Sequence, residues 1–282
     1  MRKESTALTA IRRLLLVLLC ALLLPAAAGA ELKVVFMDVG QGDAILVLCD
    51  GESMLVDAGP AEAGRQVNRY LKDTLEPDAL DYVVATHGHD DHIAGMPDAL
   101  AGLSVGKVWS SPAVPMTWWL TNVLPAVRQN GIQISKPAPM DSFRLGNATV
   151  TFVNPLTDAE NANDASLVLR IEYGGNTVLL AADIETTAEQ AMLDSGVPLE
   201  AGLLKVPHHG GNTSCSEAFI RAVAPEIAVI SVGEGNPHGH PHAEPLRNLE
   251  KNHVTVYRTD LFGTVVCTGD GEKWTVEVTK AR

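Results

Sequence analysis

One short segment concentrates the residues whose types and spacing suit metal binding. Residues 86–92 read Thr-His-Gly-His-Asp-Asp-His. His87 and His89 are two residues apart, so in an extended turn both imidazoles can face one point. Asp91 and His92 follow where a helix is predicted to begin, and they can face a second point nearby. Three imidazoles and a carboxylate so close together are typical of a first-row metal site. A solvated polar turn is the alternative, but it gives little reason for clustering three histidines.

A single motif rarely supplies a full ligand set, and two further segments offer ligands where predicted strands end. Asp183 follows the apolar stretch 177–182, and a half-buried carboxylate there needs a cation or hydrogen bonds. His208 and His209 follow the apolar stretch 203–206 in the same way. Because the ends of adjacent strands converge on one edge of a sheet, we expect these residues to join the first segment. The alternatives are a helix N-cap for Asp183 and simple loop packing for one of the two histidines.

Several flanking residues have both a functional and a structural interpretation. Asp57 ends a predicted strand and can orient a ligand imidazole by accepting its hydrogen bond, or it can cap a backbone turn. His240 lies in a histidine-rich loop, where it is either a phosphate clamp or general acid or a surface residue. Gln41 and Asp43 lie in a predicted hairpin turn. The pair 118–119, two tryptophans, favours core or lid packing over a stacking wall for a substrate.

The elements that must position these residues form two similar series, each of strands followed by helices. The first series predicts strands at 32–39, 44–49, 53–56, 82–85 and 108–109, with helices at 65–75, 93–103 and 122–129. The second predicts strands at 149–153, 167–173, 177–182, 203–206, 227–232, 254–257, 264–267 and 274–278, with helices at 184–193, 216–223 and 245–251. Two sheets that face each other, with helices outside, satisfy this order.

The N-terminal 30 residues are predicted to be a secretory signal peptide. Arg2, Lys3, Arg12 and Arg13 precede an apolar run over 14–24, and small residues follow up to Ala30. The run is shorter than the roughly 20 residues of a membrane-spanning helix, which makes an uncleaved anchor the less favoured alternative. We therefore expect a secreted or cell-envelope protein with one domain over 31–282.

Composition narrows the classes of function. Apolar residues make up 46% of the chain and charged residues 20%, which is typical of a folded globular protein. The formal net charge is −13, and removing the signal lowers it further. Such acidity argues against a protein that coats nucleic acid, although it leaves open a nucleic-acid substrate held at metal ions. Cys49, Cys215 and Cys267 show no spacing typical of a zinc knuckle, and we expect them to be buried.

Taken together, the motifs resemble the metallo-β-lactamase superfamily, and more narrowly the hydrolase domain of ComEC-type competence proteins. The matching stretches are 36–44, 55–59, 87–95, 163–169, 205–210, 239–241 and 257–260, which together span nearly all of the predicted domain. We expect the chain to lack the membrane channel portion of a competence protein. The resemblance implies a four-layer αββα sandwich with a two-metal site at one edge of the paired sheets.

The resemblance also implies a role for each matched residue. His87 and His89 would hold a first divalent ion, and Asp91, His92 and one of the histidine pair, preferably His209, would hold a second. Asp183 would bridge both ions, and His208 would face the substrate. Asn163 occupies the region of the third histidine found in the wider superfamily, so the first site should bind more loosely and accept manganese as well as zinc.

The expected activity is hydrolysis by a hydroxide that two divalent ions generate from water. Asp91, His208 and His240 are the residues assigned to this chemistry. The positive charge of two divalent ions exceeds the negative charge of Asp91 and Asp183. An anionic substrate is therefore favoured, such as a phosphodiester in DNA or in an envelope polymer. The alternatives are a hydrolase of the same fold acting on a β-lactam, thioester or lactone, and a non-catalytic component of a DNA-uptake or cell-surface assembly.

Overall fold

The computed structural model describes residues 31–128, 131–156 and 159–280. The predicted signal peptide lies outside the described residues. Within them, no helix is long and apolar enough to cross a membrane.

Fifteen strands form the two sheets. In chain order they are β1 Leu32–Phe36, β2 Ile45–Cys49, β3 Glu52–Val56, β4 Ala79–Ala85, β5 Ser104–Ser110, β6 Gln133–Ser135, β7 Ser142–Leu145, β8 Ala148–Phe152, β9 Leu169–Tyr173, β10 Asn176–Leu180, β11 Leu203–Lys205, β12 Ile227–Ile230, β13 Thr255–Arg258, β14 Val265–Gly269 and β15 Trp274–Val278. One sheet has eight strands in the order β15-β14-β1-β2-β3-β4-β5-β6, and the other has seven in the order β13-β12-β11-β10-β9-β8-β7.

Each sheet combines an antiparallel part and a parallel part. In the eight-stranded sheet β3, β4, β5 and β6 run parallel, and in the seven-stranded sheet β10, β11, β12 and β13 do. The carboxyl ends of parallel strands lie at the same edge of a sheet, where ligand sites of open α/β sheets form. Both sheets therefore present the loops after their parallel strands to a common edge.

The helices are mostly short. They are α1 Gly64–Thr74, α2 Asp90–Ile93, α3 Met96–Ala99, α4 Met116–Trp118 with a π-helical extension Trp119–Val123, α5 Thr186–Ser195, α6 Glu217–Val223, α7 Ala243–Lys251 and α8 Thr259–Phe262, with 3₁₀ turns at Ala61–Ala63 and Pro207–Gly210. Helix α1 illustrates how a helix packs on a sheet. Val67 and Leu71, one turn apart, are fully buried, while most residues on the opposite face of the helix are exposed to solvent.

Three hydrophobic cores lie between the four layers, which are two sheets and a layer of helices on the outer face of each. The inner core lies between the sheets and includes Phe36 and Ile171. A second core joins the eight-stranded sheet to α1 and its neighbours through residues such as Leu71, and a third joins the seven-stranded sheet to α6 and α7 through Phe219 and Leu249. The predicted αββα sandwich is confirmed.

Some predicted elements differ from the structure. The single helix predicted at 93–103 is two short helices, α2 and α3. Gly95 N donates a hydrogen bond of 2.9 Å to the Gly59 carbonyl oxygen rather than to the preceding helical turn, and Pro97 has no N–H to donate, so the helical hydrogen bonds are interrupted there. The helix predicted at 122–129 is displaced: the helical segment covers 116–123 and overlaps the prediction only at 122–123, and residue 129 lies outside the described residues. Strands β6 and β7 were not predicted, since both are short edge strands with mixed polar sequences.

The cysteines and the tryptophan pair belong to the packing. Cys49, Cys215 and Cys267 are free and buried, as expected. Trp119 has no exposed surface, and its Nε1 donates a hydrogen bond of 2.9 Å to Ser110 Oγ. A buried indole with a satisfied N–H is a core residue, so Trp119 is not a stacking platform for a substrate.

The turn between β1 and β2 packs directly on α2, and Gly42 permits this contact. Gly42 has a φ of +130°, and Asp43 N donates a hydrogen bond of 3.2 Å to the Asp91 carbonyl oxygen. A Cβ at Gly42 would lie 2.0 Å from that oxygen, whereas a Cβ at Gly40, which has a φ of +74°, would meet nothing within 4 Å.

We predict that Gly42→Ala destabilises the protein more than Gly40→Ala does. Both substitutions force alanine to a positive φ, which costs about 1–2 kcal/mol. Only Gly42→Ala also pushes α2 away, so its loss in free energy of unfolding should exceed that of Gly40→Ala by at least about 1 kcal/mol. Urea unfolding of both variants measures the difference, and equal losses would show that the contact with α2 is not constraining.

Candidate metal centre

The candidate site forms where the loops after the parallel strands of both sheets meet. In the eight-stranded sheet Asp57 follows β3 and the 86–92 segment follows β4. In the seven-stranded sheet Asp183 follows β10, and His209 lies in the 3₁₀ turn after β11. The two series of strands found in the sequence thus each supply part of the site. Asp183 is not a helix cap, because the N-cap of α5 is Glu185.

Four of the predicted ligands form one tight cluster: Asp91, His92, Asp183 and His209 each offer an atom within 4.8 Å of the others. Asp183 Oδ2 lies 3.2 Å from His92 Nε2 and 3.4 Å from His209 Nε2. Asp91 Oδ2 lies 3.4 Å from His209 Nε2. The side chain of Asp91 is 31% exposed while the other three are buried, so the cluster opens to solvent on the Asp91 side.

His87 and His89 lie beside this cluster and are not part of it. His87 Nε2 is 3.9 Å from Asp183 Oδ2 and 3.2 Å from His89 Nδ1, and the rings of His87 and His92 are 4.2 Å apart. Burial, followed by the charge of His92, holds the pKa of His87 well below its usual value, so its imidazole is neutral and able to bind a metal. The structure thus brings His87 and His89 next to Asp183, at longer distances than the four clustered ligands.

Hydrogen bonds on the far side of the rings fix the direction of two imidazoles. His92 Nδ1 lies 2.8 Å from Asp57 Oδ2, and His209 Nδ1 donates to the Ser231 carbonyl oxygen at 2.7 Å. Asp57 is in turn held by Thr86, which donates to it from its backbone N at 2.9 Å and from Oγ1 at 2.6 Å. Both rings therefore present Nε2 to the cluster, as imidazole ligands do when an outer partner orients them.

Unpartnered oxygen atoms show what the cluster is suited to hold. Asp183 Oδ1 and Asn163 Oδ1 are both buried, and neither has a hydrogen-bond partner among the described residues. A buried oxygen without a partner is costly, and a cation satisfies it. Imidazole nitrogens and carboxylate or amide oxygens are donors that zinc and manganese accept. The residues present thus fit divalent metal ions, with Asn163 near the place of the missing third histidine.

Without a cation, the cluster is held together by ion pairs. Although burial opposes ionisation, the charges of His209 and His92 hold the pKa of Asp183 well below its usual value. Burial lowers the pKa of His209, but the charge of Asp183 and the hydrogen bonds that the ring donates to Asp183 and Asp91 raise it to about 9. The pKa of His92 is raised in the same way, against burial, by Asp183 and Asp57.

A cavity of about 380 Å³ opens on the cluster, and two predicted catalytic histidines line it without joining the cluster. It is lined by Gln41, His89, Asp90, Asp91, Asn163, Asp183, His208, His209, His238 and His240. The rings of His208 and His240 lie 5.5 Å apart. Burial lowers the pKa of His208, and it lowers that of His240 to about 4, so both are neutral hydrogen-bonding groups near pH 7.

Glu185 and Lys205 were not assigned a role from the sequence. Glu185 Oε1 lies 3.3 Å from His208 Nδ1 and accepts a hydrogen bond of 2.7 Å from Thr213 Oγ1. Lys205 has no exposed surface, and its Nζ lies 2.9 Å from Asp43 Oδ2. The signal in the sequence for Lys205 is a lysine within an apolar strand, since a buried lysine needs a partner.

Comparison with known proteins agrees with this geometry. The family model of the metallo-beta-lactamase superfamily matches residues 37–234. ComE operon protein 3 of Bacillus subtilis (strain 168) is 29% identical over 255 residues, which cover 84% of this chain and 33% of that protein. Competence protein ComA of Neisseria gonorrhoeae is 28% identical over 239 residues, covering 83% and 32%. The chain thus spans about a third of the length of these relatives, and its distant homology with them confirms the resemblance found in the sequence.

The solved structures agree on the fold. The metallo-beta-lactamase fold protein YhfI from Bacillus subtilis superposes with a TM-score of 0.58 at 17% identity, covering 85% of this chain and 100% of that one.

We predict that the metal-free protein loses stability as the pH rises from about 6.5 towards 9. A histidine whose pKa is higher in the folded chain stabilises the fold fully below its unfolded pKa, and this contribution is lost as the pH rises through the folded value. For His209 these limits are 6.5 and about 9. Differential scanning calorimetry in the presence of a chelator should therefore show a Tm that falls by several degrees across this range.

The variant Asp183→Asn provides the control for this measurement. Asp183 is the largest of the influences that raise the pKa of His209 and His92, so the fall in Tm between about pH 6.5 and 9 should become smaller in this variant. An unchanged slope in Asp183→Asn would show that other groups cause the pH dependence.

Proposed function

This chain belongs to the metallo-beta-lactamase superfamily, and we propose that it is a metal-dependent hydrolase of phosphodiesters, with DNA or a phosphodiester of the cell envelope as substrate. The single observation that carries the proposal is the cluster of Asp91, His92, Asp183 and His209, which lies at the edge of both sheets and opens on a cavity. A structural metal site tends to be closed, whereas this one has one partly exposed ligand and a neighbouring space for a substrate.

In this proposal some residues bind the ions and others orient those ligands. His87 and His89 would hold one divalent ion, Asp91, His92 and His209 would hold a second, and Asp183 would contribute to both. Such ions would lower the pKa of a coordinated water and neutralise developing negative charge in the substrate. Asp57 and the Ser231 carbonyl oxygen fix the ring orientations, so ligand geometry need not be reorganised during the reaction.

Divalent ions at the site would favour an anionic substrate. Two such ions would bring a charge of about +4, whereas the carboxylates of the cluster, Asp91 and Asp183, bring two negative charges. Because Asp90 also lines the cavity and Glu185 lies beside His208, the attraction would come from the ions themselves, which can neutralise the charge of a phosphodiester directly.

His208 and His240 are placed to contact the substrate. Both line the cavity, and their lowered pKa values leave them neutral, so they can donate or accept one hydrogen bond without adding charge. His208 Nδ1 faces Thr213 Oγ1 at 3.1 Å and Glu185. Since Thr213 gives its proton to Glu185, it accepts from His208 Nδ1, which leaves Nε2 of the neutral ring as an acceptor on the cavity side.

We further propose that the protein acts outside the cytoplasm. The support is the pattern of a basic start, a short apolar run and small residues over 1–30. The competence proteins to which the chain is similar make extracellular DNA a substrate to test first.

We predict that His89→Ala and Asp183→Ala each lower phosphodiesterase activity at least about 100-fold, because each removes a group that holds a divalent ion. The assay is hydrolysis of bis-p-nitrophenyl phosphate and of linear DNA by chelator-treated protein to which zinc or manganese is returned. His253→Asn is the control, since His253 is an exposed turn residue with a φ of +58° that asparagine tolerates, and it should keep full activity.

Other outcomes would assign other functions. Turnover of a chromogenic β-lactam, a thioester or a lactone, with none of either phosphodiester, would replace the proposed substrate class. DNA binding that survives chelation, without hydrolysis of any substrate, would indicate a non-catalytic binding component.

A further inference from the structure

A buried ion pair lies directly behind the candidate metal centre. Asp43 and Lys205 have 1% and 0% exposure, and Lys205 Nζ lies 2.9 Å from Asp43 Oδ2. The same ammonium donates a hydrogen bond of 2.9 Å to the Val206 carbonyl oxygen. Asp43 comes from the turn between β1 and β2 and Lys205 from the end of β11, so the pair joins the two sheets.

The Asp43 carboxylate faces the outer nitrogens of two predicted ligands at once. Its Oδ2 lies 4.0 Å from His92 Nδ1, and its Oδ1 lies 3.8 Å from His209 Nδ1. Those imidazoles present their opposite nitrogens, Nε2, to the cluster, where the two Nε2 atoms are 3.3 Å apart. Asp43 is therefore separated from any cation held by His92 and His209 only by an imidazole ring, with Asp43 on the Nδ1 side and the cation on the Nε2 side.

A carboxylate in this position would strengthen cation binding if it were left uncompensated, because charges interact strongly through a buried region. Lys205 compensates it at contact distance. We propose that Lys205 sets how tightly the centre holds its ions: by cancelling Asp43, its ammonium lowers metal affinity and keeps the ions electron-poor, and so more effective as Lewis acids. This inference rests on the proposed metal-dependent function.

Packing alone does not account for the pair. Apolar residues of similar volume often replace a buried ion pair with little loss of stability, because desolvation offsets the attraction between the charges. The pair also lies within about 4 Å of both oriented imidazoles, so its net charge acts on those rings and on any cation that they hold. Its place behind His92 and His209 is explained by an electrostatic effect on whatever those rings bind.

Lys205→Met tests the proposal, since it removes the charge at nearly constant volume. With chelator-treated full-length protein, competition against a chromophoric chelator should give a Zn²⁺ Kd at least about tenfold lower than that of the unmodified chain. The double variant Asp43→Asn with Lys205→Met restores a neutral pair, so its Kd should return to within about threefold of the original. Phosphodiester turnover at saturating Zn²⁺ should fall in Lys205→Met even though affinity rises.

Lys280→Met is the matched control, because it removes a surface pair between Lys280 Nζ and Asp38 Oδ2, 2.8 Å apart, and it should leave the Kd unchanged. Lys205→Gln, which keeps a donor for the Val206 carbonyl oxygen, serves if Lys205→Met does not fold, and its Kd should shift in the same direction.

The outcomes separate this proposal from the function on which it rests. If the unmodified chain binds no divalent ion, the proposed function fails and this inference fails with it. If it binds Zn²⁺ but folded Lys205→Met or Lys205→Gln binds equally or more weakly, only the role of Lys205 is overturned, and the pair is a packing element. Tighter binding that the double variant reverses supports the proposal.

Discussion

The arrangement of this protein depends on the carboxylate of Asp183, which receives hydrogen bonds neither from solvent nor from a backbone N–H of the described residues. Asp183 is 2% exposed, and its neighbours are imidazoles from both sheets: His92 from the first half of the chain and His209 from the second. A buried charge is tolerated only with a compensating charge. The two sheets must therefore pack together so that both histidines point at Asp183. The hydrogen bonds of His92 with Asp57 and of His209 with the Ser231 carbonyl oxygen hold the rings in that direction. Protonated imidazoles compensate the charge when metal is absent, and divalent ions do so when it is present.

The sequence predicted the parts of the site that have a local signature. The 86–92 segment carries its ligands within one turn, and Asp183 and His209 each follow an apolar strand, so their convergence could be expected from the rule that strand ends share an edge. The αββα layers followed from the alternation of strands and helices. The orienting role of Asp57 was one of two interpretations of its position, and it is seen at His92. The orientation of His209 could not be predicted, because the partner of its Nδ1 is a backbone carbonyl that any residue at 231 would provide.

What the sequence missed was decided by long-range packing. Nothing near Lys205 shows that its partner is Asp43, more than 160 residues away in the chain. Likewise, the helix predicted at 93–103 is interrupted where Gly95 N donates to the Gly59 carbonyl oxygen, a contact that local periodicity does not report. The loop around His240, by contrast, was ambiguous in the sequence, and the structure places it on the wall of the cavity. The side chains that line this cavity thus come partly from loops whose position local sequence patterns do not predict.

The pairing of β1 has a consequence for the order of events in the life of the chain. This strand lies between β2 and β14, with Val34 opposite both Val47 and Cys267. Until the ribosome has added β14, one edge of β1 has no neighbour and the inner core lacks Val265 and Cys267. Closure of the sandwich must then wait for the synthesis of β14, since contacts this distant in sequence form late. A ligand cluster built by both sheets is complete only after this closure, so full metal binding would follow the pairing of β1 with β14 rather than precede it.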